Sequence, residues 1–146
     1  MNAAADDASE RTTARARGAL AVVRILLFLE AAAVVAVVGW LVIDLFALRP
    51  SSYATAIALI VVAALGAVWT VANAVGAVRL AGWSRASAIV WQFLQLSVAI
   101  GAFQGLFARA DIGWLLLIPA VVVVGLLLWP PVRLAYSNEE RGTAAS

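Results

Sequence analysis

Ala56-Ile57-Ala58-Leu59-Ile60-Val61-Val62-Ala63-Ala64-Leu65-Gly66-Ala67-Val68 carries no charge on any face of a helix. A helix buried in a soluble bundle keeps one polar stripe. Leu115 to Leu128 has the same character, a second uncharged run broken only by Pro119 and Gly125. Uninterrupted apolar runs of this length are the signature of a segment that crosses a bilayer.

Working outward, the punctuation is clear. The first run predicts a span from about Leu20 to Ala47, closed by Arg49-Pro50, where proline cannot continue a helix comfortably. The second spans about Tyr53 to Val78 and turns at Arg79-Leu80-Ala81-Gly82. The third spans about Trp83 to Phe107, and the fourth about Ile112 to Trp129, stopped by Pro130-Pro131. The expected fold class is therefore all-α: a polytopic membrane protein whose four transmembrane helices, within residues 18–134, form a bundle. Residues 1–17 and 135–146 lack apolar periodicity and are expected to be flexible cytoplasmic tails, the first with at most a short helix leading into the membrane. A secretory signal peptide does not fit: the apolar run is too long, and Asp6, Asp7 and Glu10 are foreign to a basic leader.

Composition agrees. Hydrophobic residues are 65% and charged residues 12% of 146 positions, against roughly 25% charged in soluble domains. Mean hydropathy is +1.02. Four spans of about 20 residues with short connections use the whole length. The chain has no Cys and no His, and all ten basic residues are Arg. That removes thiolate nucleophiles, sulfur-ligated metals and the commonest base and metal ligand near neutral pH. No metal, cofactor or catalytic set is expected. A net charge of +2 without a basic patch also argues against nucleic acid as a partner.

Orientation follows from arginine. With the N-terminus inside, cytoplasmic segments hold Arg11, Arg15, Arg17, Arg24, Arg79, Arg85, Arg133 and Arg141, and outer segments hold Arg49 and Arg109. That is a strong positive-inside bias and places both termini in the cytoplasm. Trp40 and Trp114 then fall near the outer interface, and Trp83 and Trp129 near the inner one, where an indole keeps its N–H wet.

Four polar residues stand inside the spans. Glu30 lies six positions after Arg24, Asn73 six before Arg79, and Gln92 seven after Arg85. If the arginines mark one boundary, all three sit roughly 9–11 Å beyond it. Gln95 is one turn deeper than Gln92 on the same face. Small residues share these faces: Ala63, Gly66, Thr70 and Ala77 with Asn73, and Ala88, Ala99 and Ala102 with the glutamines. Such faces line helix contacts in membranes. On the first span Glu30, Ala33, Val37 and Asp44 share a face. Glu30, Asn73, Gln92 and Gln95 are thus expected as one cluster in the bundle interior. It has two readings. It fixes helix register, a protonated Glu30 donating to an amide, at about 0.6 kcal/mol per bond; or it is a proton- or cation-responsive site on a transport pathway.

Three weaker features remain. Gly101 and Gly105 form a G-x-x-x-G that serves either dimerisation or ordinary packing. Asp44, Arg49, Arg109 and Asp111 can pair across the outer loops, with little energetic effect. Pro119 deprives the Leu115 carbonyl of its usual donor and predicts a kink.

The stretch Gly82-Trp83-Ser84-Arg85, then Ala88 to Leu96, with Leu29-Glu30-Ala31 and Pro130-Pro131-Val132-Arg133, resembles the uncharacterised small four-helix integral membrane proteins of actinobacteria. The all-Arg, Ala- and Val-rich composition suits a high-GC genome of that kind. The resemblance covers most of the chain and implies architecture without an activity. A Glu in the first of four spans is also loosely similar to the small multidrug resistance exporters. The chain is longer than those, and no Lys follows the Glu in its first helix. The expected function is a non-enzymatic structural or accessory subunit of an envelope complex, with lipid and either a second copy or a membrane complex as partners. The alternative is a small proton-coupled transporter or channel using Glu30.

Overall fold

The computed structural model describes residues 3–47, 51–104 and 110–144. Among them it is wholly helical: α1 Ala3–Ala47, α2 Tyr53–Val78, α3 Gly82–Gln104, α4 Ala110–Leu128 and α5 Pro130–Ala144. The first four are each long and apolar enough to cross a bilayer. They pack as a ring in chain order, α1 beside α2, α2 beside α3, α3 beside α4 and α4 beside α1, so α1 faces α3 across the diagonal. The protein is a multi-pass, four-helix membrane bundle. Its burial is inverted relative to a soluble fold. Gln92 is 0% exposed, whereas Leu115 is 73% and Phe46 84% exposed. Only an apolar solvent makes that distribution favourable.

The chain enters and leaves at the same end of the ring, here the arginine end, where Arg24, Arg79 and Arg85 lie. At that end α2 closes with a left-handed residue. Leu80 has φ 51°. The Leu80 N–H donates to the Ala77 carbonyl, and the Ala81 N–H to that of Gly76. This is the paired-bond cap that glycine usually supplies. The sequence has its glycine two positions later, at Gly82, which opens α3. Leu80 adopts the costly conformation while packing against the apolar core.

Arginine side chains finish two helices. Arg24 on α1 donates from Nε to the Ala77 carbonyl and from Nη2 to that of Val78, both 3.2 Å. Arg85 on α3 donates from Nε to the Leu127 carbonyl, also 3.2 Å. Each guanidinium thereby meets orphan carbonyls at the negative end of a helix dipole.

The two caps expose a common plan. Hairpin α1–α2 and hairpin α3–α4 are built alike. Buried Val23, Leu27 and Ala31 of α1 match buried Ser84, Ala88 and Gln92 of α3, with Arg24 matching Arg85. Buried Thr70, Asn73 and Ala77 of α2 match buried Ala120, Val123 and Leu127 of α4. The two hairpins thus share one register of buried positions and arginine caps, the pattern of a parallel repeat.

Both expected tails differ from the sequence reading. Ala3 to Arg17, taken as a flexible tail, continues α1 without a break. The stretch is rich in Ala and contains no Gly or Pro before Gly18, and Asp7 pairs with Arg11 one turn on at 3.7 Å. The adjoining span supplies the helical nucleus, so extension costs little. Residues 135–144 belong to α5 rather than to a disordered tail. Pro130 and Pro131 do end α4, and they also start α5, where missing N–H groups are harmless. Val132 and Tyr136, one turn apart, are buried where α5 meets α1, α3 and α4. That contact holds the helix down.

Spans two and four fall close to the expected bounds. The expected third span runs past Gln104 into residues outside those described.

Candidate functional site

The inward stripe of α3 is Ser84, Ala88, Gln92, Gln95 and Ala99, at helical spacing of three and four. Gln92 and Gln95 are long enough to cross the bundle. The Gln92 Nε2 donates to Glu30 Oε2 at 2.9 Å, and the Gln95 Nε2 to Glu30 Oε1 at 3.3 Å. Gln95 Nε2 also donates to the Leu116 carbonyl on α4 at 3.0 Å. The acid on α1 is therefore gripped by two amides from the diagonal helix, one of which reaches α4 as well. The bonds run opposite to the sequence expectation: the amides donate and the carboxyl accepts.

Asn73 makes no hydrogen bond to this knot. It is buried, 1% exposed, yet neither its Oδ1 nor its Nδ2 has a protein partner. The Gln92 Oε1 and the Trp91 Nε1 are likewise buried without one. Three of the four expected residues are brought together. The count from the nearest arginine grouped Asn73 with Glu30, but no hydrogen bond joins Asn73 to the knot.

On α1 the buried stripe is Val23, Leu27 and Ala31. The face shared by Ala33, Val37 and Asp44 is exposed, and Glu30 stands between the two, half-buried. Of the faces expected to line helix contacts, Thr70, Asn73 and Ala77 on α2 and Ala88, Gln92, Gln95 and Ala99 on α3 are buried, while Ala63, Gly66 and Ala102 are half-buried. Gly101 is exposed with open space about it, and Gly105 lies outside the described residues. Asp44 and Asp111 are exposed, while Arg49 and Arg109 also lie outside the described residues. Helix α4 runs continuously through Pro119. Near the proline, which has no N–H for the Leu115 carbonyl, the adjacent Leu116 carbonyl takes the side-chain donor from Gln95.

The half of Glu30 that is not gripped lines a groove of about 840 Å³ between α1 and α4. Its walls include Leu26, Ala33 and Val34 from α1 and Trp114, Leu115 and Pro119 from α4. Glu30 and Gln95 form its polar floor, and Asp111 borders it at the first turn of α4. Sequence reasoning did not find this groove. A usable signal existed: in the repeat that aligns Arg24 with Arg85, Glu30 occupies the place of Trp91.

That equivalence has a structural consequence. Trp91 lies over α2 at Gly66, where an added Cβ would stand 3.5 Å from the ring. The same register matches α1 with α3 and α2 with α4, so the α2/α3 seam corresponds to the α1/α4 seam and Gly66 to Leu116. One seam is filled by an indole. The other has a carboxyl and a groove.

At the arginine end, Tyr136 of α5 is buried between the caps. Burial pushes its hydroxyl above the usual phenolic range, while a hydrogen bond with Ser84 and the charges of Arg24 and Arg85 pull it back.

No family model matches this chain, and neither the curated proteins nor the solved structures contain a significant match to it.

Proposed function

We propose that the protein resides in the cell membrane with both termini in the cytoplasm and acts without catalysis, as a structural or accessory subunit of an envelope complex. The arginine count supports the orientation, since eight of ten fall on one side. The observation that carries the functional reading is the use of Glu30. Both of its oxygens accept from amides of the diagonal helix, so the acid braces α1 against α3. Polar residues placed this way set register among membrane helices. An apolar exterior of large side chains on all four helices is available to lipid and to neighbouring spans.

The test is purification from the native membrane in mild detergent. A stoichiometric membrane complex supports the proposal. A lone chain recovered at every detergent concentration counts against it.

A second reading is favoured by one observation, the groove that reaches Glu30. In it the protein is a small proton-coupled transporter or channel, and Glu30 is the group that exchanges its proton. Reconstituted in liposomes, such a protein shows pH-driven flux that Glu30→Gln abolishes with the fold intact. A subunit that only packs tolerates Glu30→Gln, because Gln still accepts from one amide.

A further inference from the structure

We propose that the outer face of α2 holds one anionic glycerophospholipid, with its phosphate on Arg79 and one acyl chain laid along the helix. The inference concerns the lipid around the bundle, so it does not rest on Glu30, on transport or on assembly with other proteins.

Length comes first. A shallow groove of about 570 Å³ runs along α2 from Arg79 toward the middle of the span. Val68 and Val75 stand as exposed ridges, while Ala72 and Gly76 present little side chain and keep the groove open. Its far end lies at Val35 of α1 and Ala67 of α2. Ala67 to Arg79 is about 18 Å along the helix axis, and one leaflet contributes about 15 Å of hydrocarbon. A partner helix would meet the bundle across both leaflets. A groove that starts at the boundary and ends at mid-membrane has the reach of an acyl chain.

Charge decides the head group. Arg24 and Arg85 are engaged within the protein, on the carbonyls of Ala77, Val78 and Leu127. Arg79 is exposed, and among the described residues its guanidinium meets no acceptor. It lines the mouth of the groove with Trp83, whose ring lies 3.2 Å from where a Cβ on Gly76 would stand. A guanidinium presents a fork of donors that matches a phosphate, and an indole at the boundary sits at headgroup level. No Asp or Glu lines the groove. The carbonyls that end α2, which would repel a phosphate, are covered by Arg24. Helix α3 begins at Gly82, so the positive end of its dipole lies at the same level. A choline head would bring a further cation beside these arginines, and an anionic head does not. The register shared by the hairpins puts Val122, Leu126 and Trp129 where α2 has Ala72, Gly76 and Arg79. The second hairpin has neither the small residues nor the cation, so the site belongs to the first.

The experiment uses the full chain in a neutral detergent, titrated with phosphatidylglycerol or phosphatidylcholine of the same acyl chains. Native mass spectrometry counts the lipids retained. The expected result is one phosphatidylglycerol held more tightly than the rest, and more tightly than phosphatidylcholine. Arg79→Gln should weaken that first event about fivefold, as befits one basic group at a membrane surface. Arg79→Lys, which keeps the charge, should weaken it less. Arg133→Gln removes an exposed charge from the same end and should leave it unchanged. Ala72→Trp fills the groove without touching Arg79 and should weaken it at least as much as Arg79→Gln. Circular dichroism and gel filtration establish that each variant is folded. Equal retention of the two lipids overturns the proposal, as does full binding in Ala72→Trp. An equal loss in Arg133→Gln makes the effect one of general surface charge and overturns it too. So does displacement of the lipid by an equal concentration of glycerol phosphate, which would make Arg79 a site for soluble phosphates.

Discussion

The two seams between hairpins differ more than their shared plan requires. Both join a helix running away from the arginine end to one running toward it. The α2/α3 seam is tight. An added Cβ at Gly76 would stand 2.6 Å from the Ser84 Cβ, and Trp91 covers Gly66 further along. The α1/α4 seam has no counterpart to that ring. It opens into the groove, with Glu30 tethered from across the bundle. The lesson is that one repeat can give a structural joint in one copy and an accessible site in the other. At this level the copies differ in Trp91 against Glu30 and in Gly66 against Leu116.

Emptying the closed seam should have the largest effect. Trp91→Ala removes the ring over Gly66 and is expected to cost roughly 2–4 kcal/mol. That is toward the lower part of the range for soluble cores, because lipid solvates apolar groups in the unfolded reference. Unfolding in mixed micelles by denaturing detergent measures it. A loss below that expected for a lipid-facing side chain would remove the contrast between the seams.

Gly76→Ala comes next, at about 1–3 kcal/mol. The contact is with the first side-chain atom of Ser84, next to its backbone, so relief requires the helices to move apart. Gly113→Ala is the sharper control. Its added Cβ would meet the Phe103 ring at 2.7 Å, but a ring can swing aside. It should therefore cost less than Gly76→Ala in the same assay.

Tyr136→Phe probes the arginine end, which both seams share. It removes one hydrogen bond with Ser84 and keeps the ring, for a loss of about 1 kcal/mol. The same residue sets a pH dependence. Its folded pKa is raised above 10.0, so its contribution is fully present below that value and is lost as pH rises through the folded pKa. Docking of α5, followed by protease protection of residues 130–144, should weaken on the alkaline side in the native chain. In Tyr136→Phe that transition should be absent.

Glu30→Gln should have the smallest effect on stability, about 0.6 kcal/mol, because one of two amide bonds survives. A loss of several kcal/mol would mean that the open seam depends on its acid as strongly as the closed seam depends on its indole.

Much of this molecule was legible in the residues alone. Runs such as Ala56 to Val68 determine the four spans, because an uncharged helix has a favourable place only in lipid. The periodic stripes of α2 and α3, and the depth of Glu30, Gln92 and Gln95, also follow from helix geometry and a count from the nearest arginine. Helical continuation through Ala3–Arg17 and the docking of α5 were hidden, since each depends on what lies next to a segment of weak pattern.

What only the tertiary structure decided is neighbourhood. A ruler along the axis gives height, not the angle between helices around the ring. It could not put α1 diagonal to α3, leave Asn73 without the partners its depth suggested, or open a groove beside α4. Those outcomes depend on how four nearly uniform apolar surfaces meet. In lipid, that choice is made by a few small residues, rings and amides rather than by hydrophobicity, which all four helices share.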